Sequence, residues 1–318
     1  MRLVKNLCRI IVGIVFIYSG FVKGIDPLGS DYKFTDYFNA FGMGWMNATT
    51  LFFSFALSLV EFLIGIALLF NLWVSRMAWG SLLFMAFFTP LTLVLALTNP
   101  VSDCGCFGDA MILTNWQTFW KNIILLLLAI MIFMYRKEYK SSLPLVGQFS
   151  FLALAGAGML CLSVYCYRHL PVLDFRPYAV GKNITEGMRL PEGAEPDQYE
   201  VTLKYKNKQT GEVQSFTEEN YPWQDTLNWE YESSSERLVK KGYITPIHDL
   251  VIEHPTLGNI TEEILEDDNH TILAVAYNLT QSDVQYQPAI NRLAEYAQEK
   301  GIRFYGLTSS SERDIETY

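Results

Sequence analysis

The stretch LTLVLALTNPVSDCGCFGDAMILTNWQTFW, residues 91–120, joins two strongly apolar segments through a short polar loop with two cysteines one residue apart. Thiols this close in sequence can join only through a very small ring, and a strained disulfide is easier to reduce than a relaxed one. Gly105, between Cys104 and Cys106, removes the Cβ that would crowd such a turn. The spacing therefore favours a labile redox pair. Two other interpretations stay open: small structural residues at a membrane surface, and a soft-thiolate site for a metal such as copper(I).

The two halves of the chain differ in charge. Residues 1–168 carry 11 Lys and Arg against 7 Asp and Glu, whereas residues 169–318 carry 13 against 26. All five cysteines lie in the first half. An acidic second half argues against nucleic acid as a partner, because phosphate contacts need Lys and Arg. At 318 residues the chain is long enough for two domains.

The first half has the composition of a membrane domain and predicts the lipid bilayer as a partner. A bilayer-spanning helix needs about 20 predominantly apolar residues, and five segments meet that requirement. The first is not expected to be a cleaved signal peptide, because no small-x-small cleavage site follows it and the chain returns to the membrane repeatedly. The predicted spans cover about residues 3–22, 49–70, 77–98, 116–135 and 149–167.

Lysine and arginine in the short loops predict the orientation, because they are enriched on the cytoplasmic side of a membrane. Basic residues cluster at the N-terminus, at Arg76 after the second span, and at residues 136–140 after the fourth. These places share one side, so the cysteine loop and residues 169–318 fall on the other, where disulfides persist. The sequence therefore predicts a multi-pass protein of the bacterial inner (cell) membrane, with a cytoplasmic N-terminus and a periplasmic C-terminal domain.

Two features depart from a plain series of spans. Residues 32–41 carry aromatic side chains at helical spacing, which predicts an amphipathic helix on the outer surface or a re-entrant cap over the bundle. In the third span, Pro90 with Thr89 and Thr92 beside it predicts a kink, and a kinked helix can open a ligand pocket.

Glu61 is a carboxylate placed deep in the second predicted span. An ionisable residue at such a depth is by default a functional candidate with a partner. Counted from the inner ends of their helices at about 1.5 Å per residue, Arg9 and Glu61 lie at similar depths, so Arg9 is the predicted partner. The pair is a candidate auxiliary of the cysteine site. It can equally serve only to lock two helices together.

The remaining cysteines have different prospects. Cys161 and Cys166 are five residues apart in the fifth span, about 140° around a helix, so they are not expected to pair with each other. Cys166 lies near the outer end, at the predicted depth of the loop, and is a candidate resolving thiol. Helix packing by a small buried residue is the alternative for both. Cys8 is near the cytoplasmic side and out of reach of the pair.

The first 140 residues resemble a known family. The ending SGFVKGIDP of the first span, Glu61 within the second, and above all DCGCFGD between the third and fourth are similar to the DoxX-like superfamily, in the branch of the methylamine-utilisation protein MauE. The resemblance implies a four-helix membrane bundle over residues 1–140, with a layout like that of vitamin K epoxide reductase and DsbB-type oxidoreductases. A fifth transmembrane helix, residues 141–168, is additional.

The same resemblance implies a function in disulfide formation or redox maturation outside the cytoplasm. Its motif cysteines correspond to Cys104 and Cys106, which are the implied catalytic pair. The oxidoreductases of similar layout use a Cys-x-x-Cys pair beside a bound quinone. Here one residue separates the thiols, and quinone is the cofactor that the resemblance brings into consideration.

The acidic half is predicted to be an extracytoplasmic α/β domain. Residues 169–245 are interpreted as a connector with a β-hairpin, because residues 199–206 and 212–217 alternate apolar and polar side chains around Thr210-Gly211. Residues 246–318 predict strands over 248–253, 271–277 and 302–307, a helix over 287–300 with an apolar stripe, and a parallel βαβ unit. The histidines at 248, 254 and 270 lack metal-ligand spacing and are predicted to lie on the surface, and no metal site is predicted there.

The order of elements in residues 246–318 resembles the opening of a thioredoxin-like domain. In such domains the redox cysteines follow the first core strand, at a helix N-terminus that lowers a thiol pKa. The corresponding residues here, 278–283, contain no cysteine. We therefore expect this partial thioredoxin-like domain to dock a partner or cover the cysteine loop and not to carry electrons itself.

Two classes of function follow from these features. In the first, the protein is a membrane thiol-disulfide relay in which Cys104 and Cys106 pass oxidising equivalents to an extracytoplasmic client or redox protein. In the second, it is a non-enzymatic assembly or binding factor with structural cysteines. A transporter is a weaker third class, because the chain shows no inverted repeat and one buried carboxylate. The sequence does not specify an oligomeric state.

Overall fold

The computed structural model describes residues 2–317, except residues 102, 196–197, 218–219, 224, 241, 244, 248–249 and 268. The chain forms two compact units, Met1–Val180 and Gly181–Tyr318.

The first unit is helical, and five of its helices are long and apolar enough to cross a membrane. The five predicted spans are confirmed, with ends that differ from the predicted ones by a few residues. A shorter helix follows the first span. The helices are α1 (Arg2–Ile25), α2 (Pro27–Ala40), α3 (Thr50–Leu69), α4 (Val74–Thr98), α5 (Asn115–Met134) and α6 (Leu145–Arg168).

Apolar side chains of four helices form the core of the bundle. Val12 and Phe16 of α1 meet Leu68 of α3, and they share one cluster with Met85 of α4 and Leu125 of α5. α1 packs along α3, α4 packs along α5, and α6 lies against α3 and α1. α4 continues through Pro90.

The aromatic segment predicted at 32–41 lies in α2, which begins after the N-cap residue Asp26. The Asp26 carboxylate accepts a hydrogen bond from the backbone N–H of Gly29 at 3.0 Å. Phe34 and Phe38 of α2 pack against Phe53 of α3, with ring centroids 6.0 and 5.9 Å from that ring. α2 is therefore held against the bundle through its aromatic face, at the end where α1 finishes and α3 starts.

α1 and α3 approach closely because glycines stand at their contact. A Cβ on Gly20 would lie 2.5 Å from the backbone N of Phe62, and one on Gly65 would lie 2.5 Å from the backbone N of Ile17. Small residues allow this approach between membrane helices. The two contacts also show that α1 and α3 run antiparallel, since residue 20 faces 62 and residue 17 faces 65.

Replacing Gly65 with alanine is expected to lower the free energy of unfolding by about 1–3 kcal/mol, because the new methyl group forces two backbones apart. Gly158 of α6 is the matched control, since a Cβ there meets nothing within 4 Å. Gly158→Ala should leave stability unchanged or raise it by up to about 1 kcal/mol, as alanine favours helix. Denaturant titration of both variants in micelles measures the difference. Equal losses would contradict the assigned α1–α3 contact.

The second unit contains an antiparallel sheet in the order β2-β1-β3. The predicted hairpin is confirmed, because β1 (Gln198–Asn207) pairs with β2 (Val213–Thr217). Gly211, with φ +75°, occupies the turn. The third strand, β3 (Trp229–Lys240), pairs antiparallel with β1. Sequence analysis missed it, because residues 232–237 are polar on both faces and lack the alternation of a half-buried strand.

The rest of the second unit contains short elements around an isoleucine cluster. Ile252, Ile260 and Ile264 are buried together, with Leu273 and Leu307 packed against them. The predicted parallel βαβ unit is confirmed, since β6 (Thr271–Val275) pairs parallel with β7 (Arg303–Leu307) and α9 (Gln287–Lys300) connects them. The elements after β3 are β4 (Glu253–His254), β5 (Gly258–Asn259), α8 (Thr261–Leu265), β6 (Thr271–Val275), α9 (Gln287–Lys300) and β7 (Arg303–Leu307); α7 (Ile184–Met188) precedes β1.

Two predictions for this region need correction. The strand expected over 248–253 is reduced to the two residues of β4 in the described part, and positions 248 and 249, with His248, lie outside the described residues. The apolar stripe of α9 is only partly buried: Ala297 is fully buried, whereas Ile290 and Leu293 are 38% and 43% exposed. Among the described residues, β6 and β7 form a two-stranded sheet.

Candidate functional site

The loop between α4 and α5 is tied at its base. Asn115, the first residue of α5, donates from Nδ2 to Asn99 Oδ1 at 2.8 Å and to the carbonyl of Val101 at 2.9 Å. Gly105 and Gly108 have φ of +60° and +51°, which favour glycine. A turn between them is closed by the Gly108 N–H, which donates to the Gly105 carbonyl at 3.1 Å.

Cys104 and Cys106 lie side by side as free thiols in this loop. Their Sγ atoms are 2.9 Å apart, so a small movement brings them to bonding distance. Cys104 is buried, and Cys106 is the more exposed of the two. No group of three or more His, Cys, Asp or Glu side chains in the described parts of the chain is arranged to hold a metal ion.

Two helices hold the backbone of the pair in place. Ser19 of α1 donates from Oγ to the Cys106 carbonyl at 2.8 Å. Tyr37 of α2 donates its hydroxyl to the Cys104 carbonyl at 2.7 Å. Burial raises the pKa of the Tyr37 hydroxyl far above its ordinary value, so it remains a donor. The pair is therefore positioned by hydrogen bonds from outside the loop.

Ion pairing and ring contacts anchor both flanks of the loop. Lys33 of α2 contacts Asp103 at 2.7 Å. The buried ring of Phe107 contacts the ring of Tyr18, with centroids 5.3 Å apart. Lys121 of α5 lies over the same Phe107 ring, 4.2 Å from its centroid. A positive charge thus stands beside the thiols.

The surroundings of the two thiols shift their pKa values in opposite directions. The hydrogen bond between the thiols lowers the pKa of Cys104 to about 6, against a raising effect of burial. Thr118 Oγ1, 3.1 Å from Cys104 Sγ, and the backbone N–H of Cys106, 3.4 Å from it, also favour the thiolate. The same thiol-thiol hydrogen bond and burial raise the pKa of Cys106. At neutral pH the site therefore favours Cys104 as the thiolate and Cys106 as the thiol.

We expect Cys104 to react with alkylating reagents with a midpoint near pH 6, because only the thiolate is nucleophilic. Below this pH the thiol is protonated and the rate falls. Thr118→Val keeps the shape of the buried side chain but removes one hydrogen bond to the thiolate, so it should move the midpoint to higher pH. Mass spectrometry of the alkylated loop gives the rate at each pH.

Thr98→Val is the control, because Thr98 is exposed and its hydroxyl donates to the Val94 carbonyl. It should leave the midpoint unchanged. An ordinary cysteine midpoint for Cys104 in the unmodified protein would contradict the assigned thiolate.

Both cysteines line a cavity of about 240 Å³ within the bundle. Its wall is mainly apolar and aromatic, with a few polar groups at one end. The rings that line it include Phe16, Phe34, Phe38, Phe84, Phe87 and Phe88. The dithiol therefore faces an aromatic chamber between helices, a common location for ligand sites in helical bundles.

Glu61 lines the same cavity, but its partner is Lys23 and not Arg9. Lys23 Nζ lies 2.6 and 2.7 Å from the two carboxylate oxygens of Glu61. The exposed fractions are 8% for Lys23 and 3% for Glu61, so the ion pair is buried. The predicted Arg9–Glu61 pair is wrong.

The error came from the assumption that α1 and α3 end at the same level. Arg9 donates from a guanidinium nitrogen to the carbonyls of Leu68 and Leu69, the latter at 3.0 Å, at the end of α3. It therefore satisfies carbonyls that the helix end leaves unpaired. The N-terminal turns of α1 extend past the end of α3, which places Lys23 and not Arg9 within reach of Glu61.

The other cysteines lie elsewhere in the bundle. Cys161 is exposed and Cys166 is buried on α6, which agrees with the prediction that they face different ways. Cys8 is buried, with its Sγ 3.9 Å from Met131 Sδ. The role of Cys166 as a resolving thiol stays a prediction.

Sequence analysis missed several residues of the site, among them Ser19, Lys23, Tyr37, Thr118 and Lys121. Lys23 lies within the SGFVKGIDP motif, but the first span is predicted to end at about residue 22. In the structure α1 continues to Ile25, so Lys23 belongs to the helix. Thr118 and Lys121 are three residues apart at the start of α5 and share a helix face. This spacing is visible in the sequence. Only the packing of the helices shows that this face of α5 lies toward the cysteines.

The membrane part of the chain matches a known family. The model of methylamine utilisation protein MauE matches residues 1–135. This membrane region is MauE-like. The MauE match includes α1 to α5 and the whole cysteine loop, and it ends before α6.

The second unit has a separate match. A domain of unknown function, DUF8463, matches residues 199–241, which contain most of the three-stranded sheet. No curated protein and no solved structure matches the chain significantly. The MauE-like region contains the cysteine loop, and the chain is a multi-pass membrane protein.

Proposed function

We propose that the Cys104–Cys106 pair is a reversible dithiol-disulfide centre that passes oxidising equivalents to a client protein on the extracytoplasmic side of the membrane. One observation carries this proposal: the two Sγ atoms lie 2.9 Å apart in a site that stabilises one of them as a thiolate. Structural cysteines need neither the thiolate nor the hydrogen bonds that support it.

The oxidation of a client begins from the disulfide form. A client thiolate attacks Cys106, the more exposed partner, and a client–Cys106 disulfide forms. The Cys104–Cys106 bond breaks, and its electron pair leaves on Cys104. A thiol of low pKa is the better leaving group in this exchange, and Cys104 has the lower pKa.

The second client thiolate completes the exchange. It attacks the client sulfur of the mixed disulfide, so a disulfide forms within the client and the bond to Cys106 breaks. Cys106 leaves with the electron pair and takes up one of the two protons lost by the client thiols, while the other proton passes to water. The client loses two electrons, and the pair holds them as a thiolate and a thiol.

The cavity beside the pair fits a quinone as the group that removes these electrons. Phe34, Phe38, Phe84 and Phe88 would hold a flat ring within the apolar chamber. A quinone supplies two-electron acceptance at such a site. Lys23 and Lys121 reach the same chamber and offer hydrogen-bond donors to acceptor oxygens.

The proposed location follows from loop charges, with the N-terminus in the cytoplasm of a bacterium and the cysteine loop and second unit outside its inner membrane. The second unit has no cysteine, so its proposed role is to bind the client. The family name refers to methylamine utilisation. We infer that the client is an extracytoplasmic protein of methylamine utilisation, and that it matures by forming disulfides.

Stoichiometric oxidation of a dithiol peptide tests this function. The purified full chain is oxidised, freed of oxidant, and mixed with an excess of a peptide with two cysteines. One peptide disulfide per oxidised protein supports the relay. An oxidised pair that leaves the peptide reduced would favour the alternative, a non-enzymatic assembly factor with structural cysteines.

A further inference from the structure

The buried Lys23–Glu61 pair shares a cavity with the two cysteines. Ser19 and Lys23 are four residues apart on α1 and therefore lie on one face of that helix. Ser19 holds the carbonyl of Cys106 at 2.8 Å, and Lys23 follows one turn further on. Lys23, Glu61 and both cysteines line the same cavity. The ammonium group thus stands in the chamber that Cys106 faces.

A thiolate in this chamber needs a cation. The exchange described above places a negative charge on Cys106 when the bond to the client breaks. Burial disfavours that charge, and the Cys104 thiolate repels it. An unpaired charge in an apolar environment is strongly unfavourable. The reaction therefore requires a positive group that acts on Cys106 at that moment.

We propose that Lys23 is the counterion of Cys106 in the proposed thiol-disulfide exchange. Glu61, as the ion-pair partner of Lys23, sets how strongly the positive charge of Lys23 acts on Cys106. Lys23 is a positioning residue, since it acts on the sulfur across the cavity. Glu61 holds the ammonium in place through two hydrogen bonds of 2.6 and 2.7 Å and partly balances its charge. This inference rests on the proposed function.

Other charged groups surround Cys106 and could share this role. Lys121 acts on both thiols, and its ammonium also lies over the Phe107 ring. Lys33 is already paired with Asp103. Of these lysines, Lys23 is held by a carboxylate within the cavity wall. The titratable and charged groups around Cys106 are Lys23 of α1, Lys33 and Tyr37 of α2, Glu61 of α3, Asp103 and Cys104 of the loop, and Lys121 of α5.

The test compares two variants that both lack the ion pair. Cys106 is made the single thiol by replacing Cys104 with serine and the other three cysteines with alanine. Glu61→Gln leaves the Lys23 charge free to act on Cys106, whereas Lys23→Met with Glu61→Gln removes it. The rate of alkylation of Cys106 is measured from pH 6 to pH 10, a range of about four units around ordinary thiol values.

We expect opposite signs. Glu61→Gln should raise the alkylation rate of Cys106 at neutral pH and shift the pH midpoint down. Lys23→Met with Glu61→Gln should lower the rate on the order of fivefold or more relative to Glu61→Gln alone. Loss of a merely structural ion pair would move both variants in the same direction. Equal rates and equal midpoints in the two variants would overturn the proposal.

A second comparison covers the case in which Glu61→Gln alone does not fold. Lys23→Arg with Glu61→Asp keeps both charges but alters both side chains, and it should keep the midpoint of the parent protein. If its midpoint rises as far as that of Lys23→Met with Glu61→Gln, the charge of Lys23 is not responsible.

The failure of this inference is distinguishable from the failure of the proposed function. A pair that does not interconvert between dithiol and disulfide in the unmodified chain refutes the relay itself. A pair that interconverts, with variants of equal alkylation rate, leaves the relay in place and removes only the assigned counterion.

Discussion

Replacing Cys104 with serine is expected to turn the protein into a trap for the oxidised client: the Cys106 thiolate attacks the client disulfide, a Cys106–client disulfide forms, and the second client sulfur leaves as a thiolate. In the unmodified chain, Cys104 reverses the mixed disulfide by attacking Cys106 again, from 2.9 Å away. Serine cannot do so, and the complex therefore accumulates. Turnover of a dithiol peptide should fall to the background rate, because the loop can no longer form its own disulfide. Non-reducing electrophoresis after rapid acid quenching measures the complex.

Cys106→Ser is the matched control, and it should behave differently. It retains Cys104, which is the more buried thiol and loses its hydrogen bond to the neighbouring sulfur. We expect equal loss of turnover but little trapped complex. Cys161→Ser, at an exposed position on α6, should retain full turnover. More complex with Cys106→Ser than with Cys104→Ser would reverse the assigned roles of the two sulfurs.

Removing one partner of the Lys23–Glu61 pair is expected to have the largest effect on stability. Glu61→Ala leaves the Lys23 ammonium buried without its carboxylate, and such a change costs about 3–5 kcal/mol of the free energy of unfolding. Replacing both residues with apolar ones of similar size, Lys23→Met with Glu61→Leu, should restore most of that loss. Reversible unfolding in mixed micelles gives both values.

The Lys5–Glu138 contact is the control for this measurement. It has a similar distance of 2.6 Å, but Glu138 is 59% exposed. Glu138→Ala should therefore cost about 1 kcal/mol or less. A loss with Glu61→Ala no larger than that with Glu138→Ala would mean that the Lys23–Glu61 pair is hydrated, contrary to its burial.

The sequence was sufficient for the elements whose signals are local. A run of about 20 apolar residues has few interpretations, so the five spans were predicted correctly. The ends of α9 were predicted as residues 287 and 300, where Gly301 with φ +66° follows as the helix C-cap. By contrast, β3 has charged and hydroxyl side chains on both faces, so its sequence does not show the alternation of a half-buried strand. It is a strand because its backbone pairs with β1.

The site was only partly predictable, because its main contacts join distant parts of the chain. The Cys-x-Cys spacing predicted Cys104 and Cys106 as the redox pair that we propose, and the depth of an intramembrane carboxylate drew attention to Glu61. The partner of Glu61 depends on how far α1 extends past the end of α3, which is set by the glycine contacts of Gly20 and Gly65. The donors from Tyr37 and Ser19 likewise depend on tertiary packing and leave no pattern in the sequence.

A redox titration of the Cys104–Cys106 pair tests the central claim most directly. Membranes with the protein, in which Cys8, Cys161 and Cys166 are replaced, are equilibrated in graded thiol-disulfide buffers, and free thiols are alkylated and counted by mass. We predict one reversible transition in which both thiols disappear together, with the ratio of the two forms changing tenfold for about every 30 mV, as for a two-electron couple. Thiols that stay reduced across the whole range, or that change independently of each other, would contradict the account.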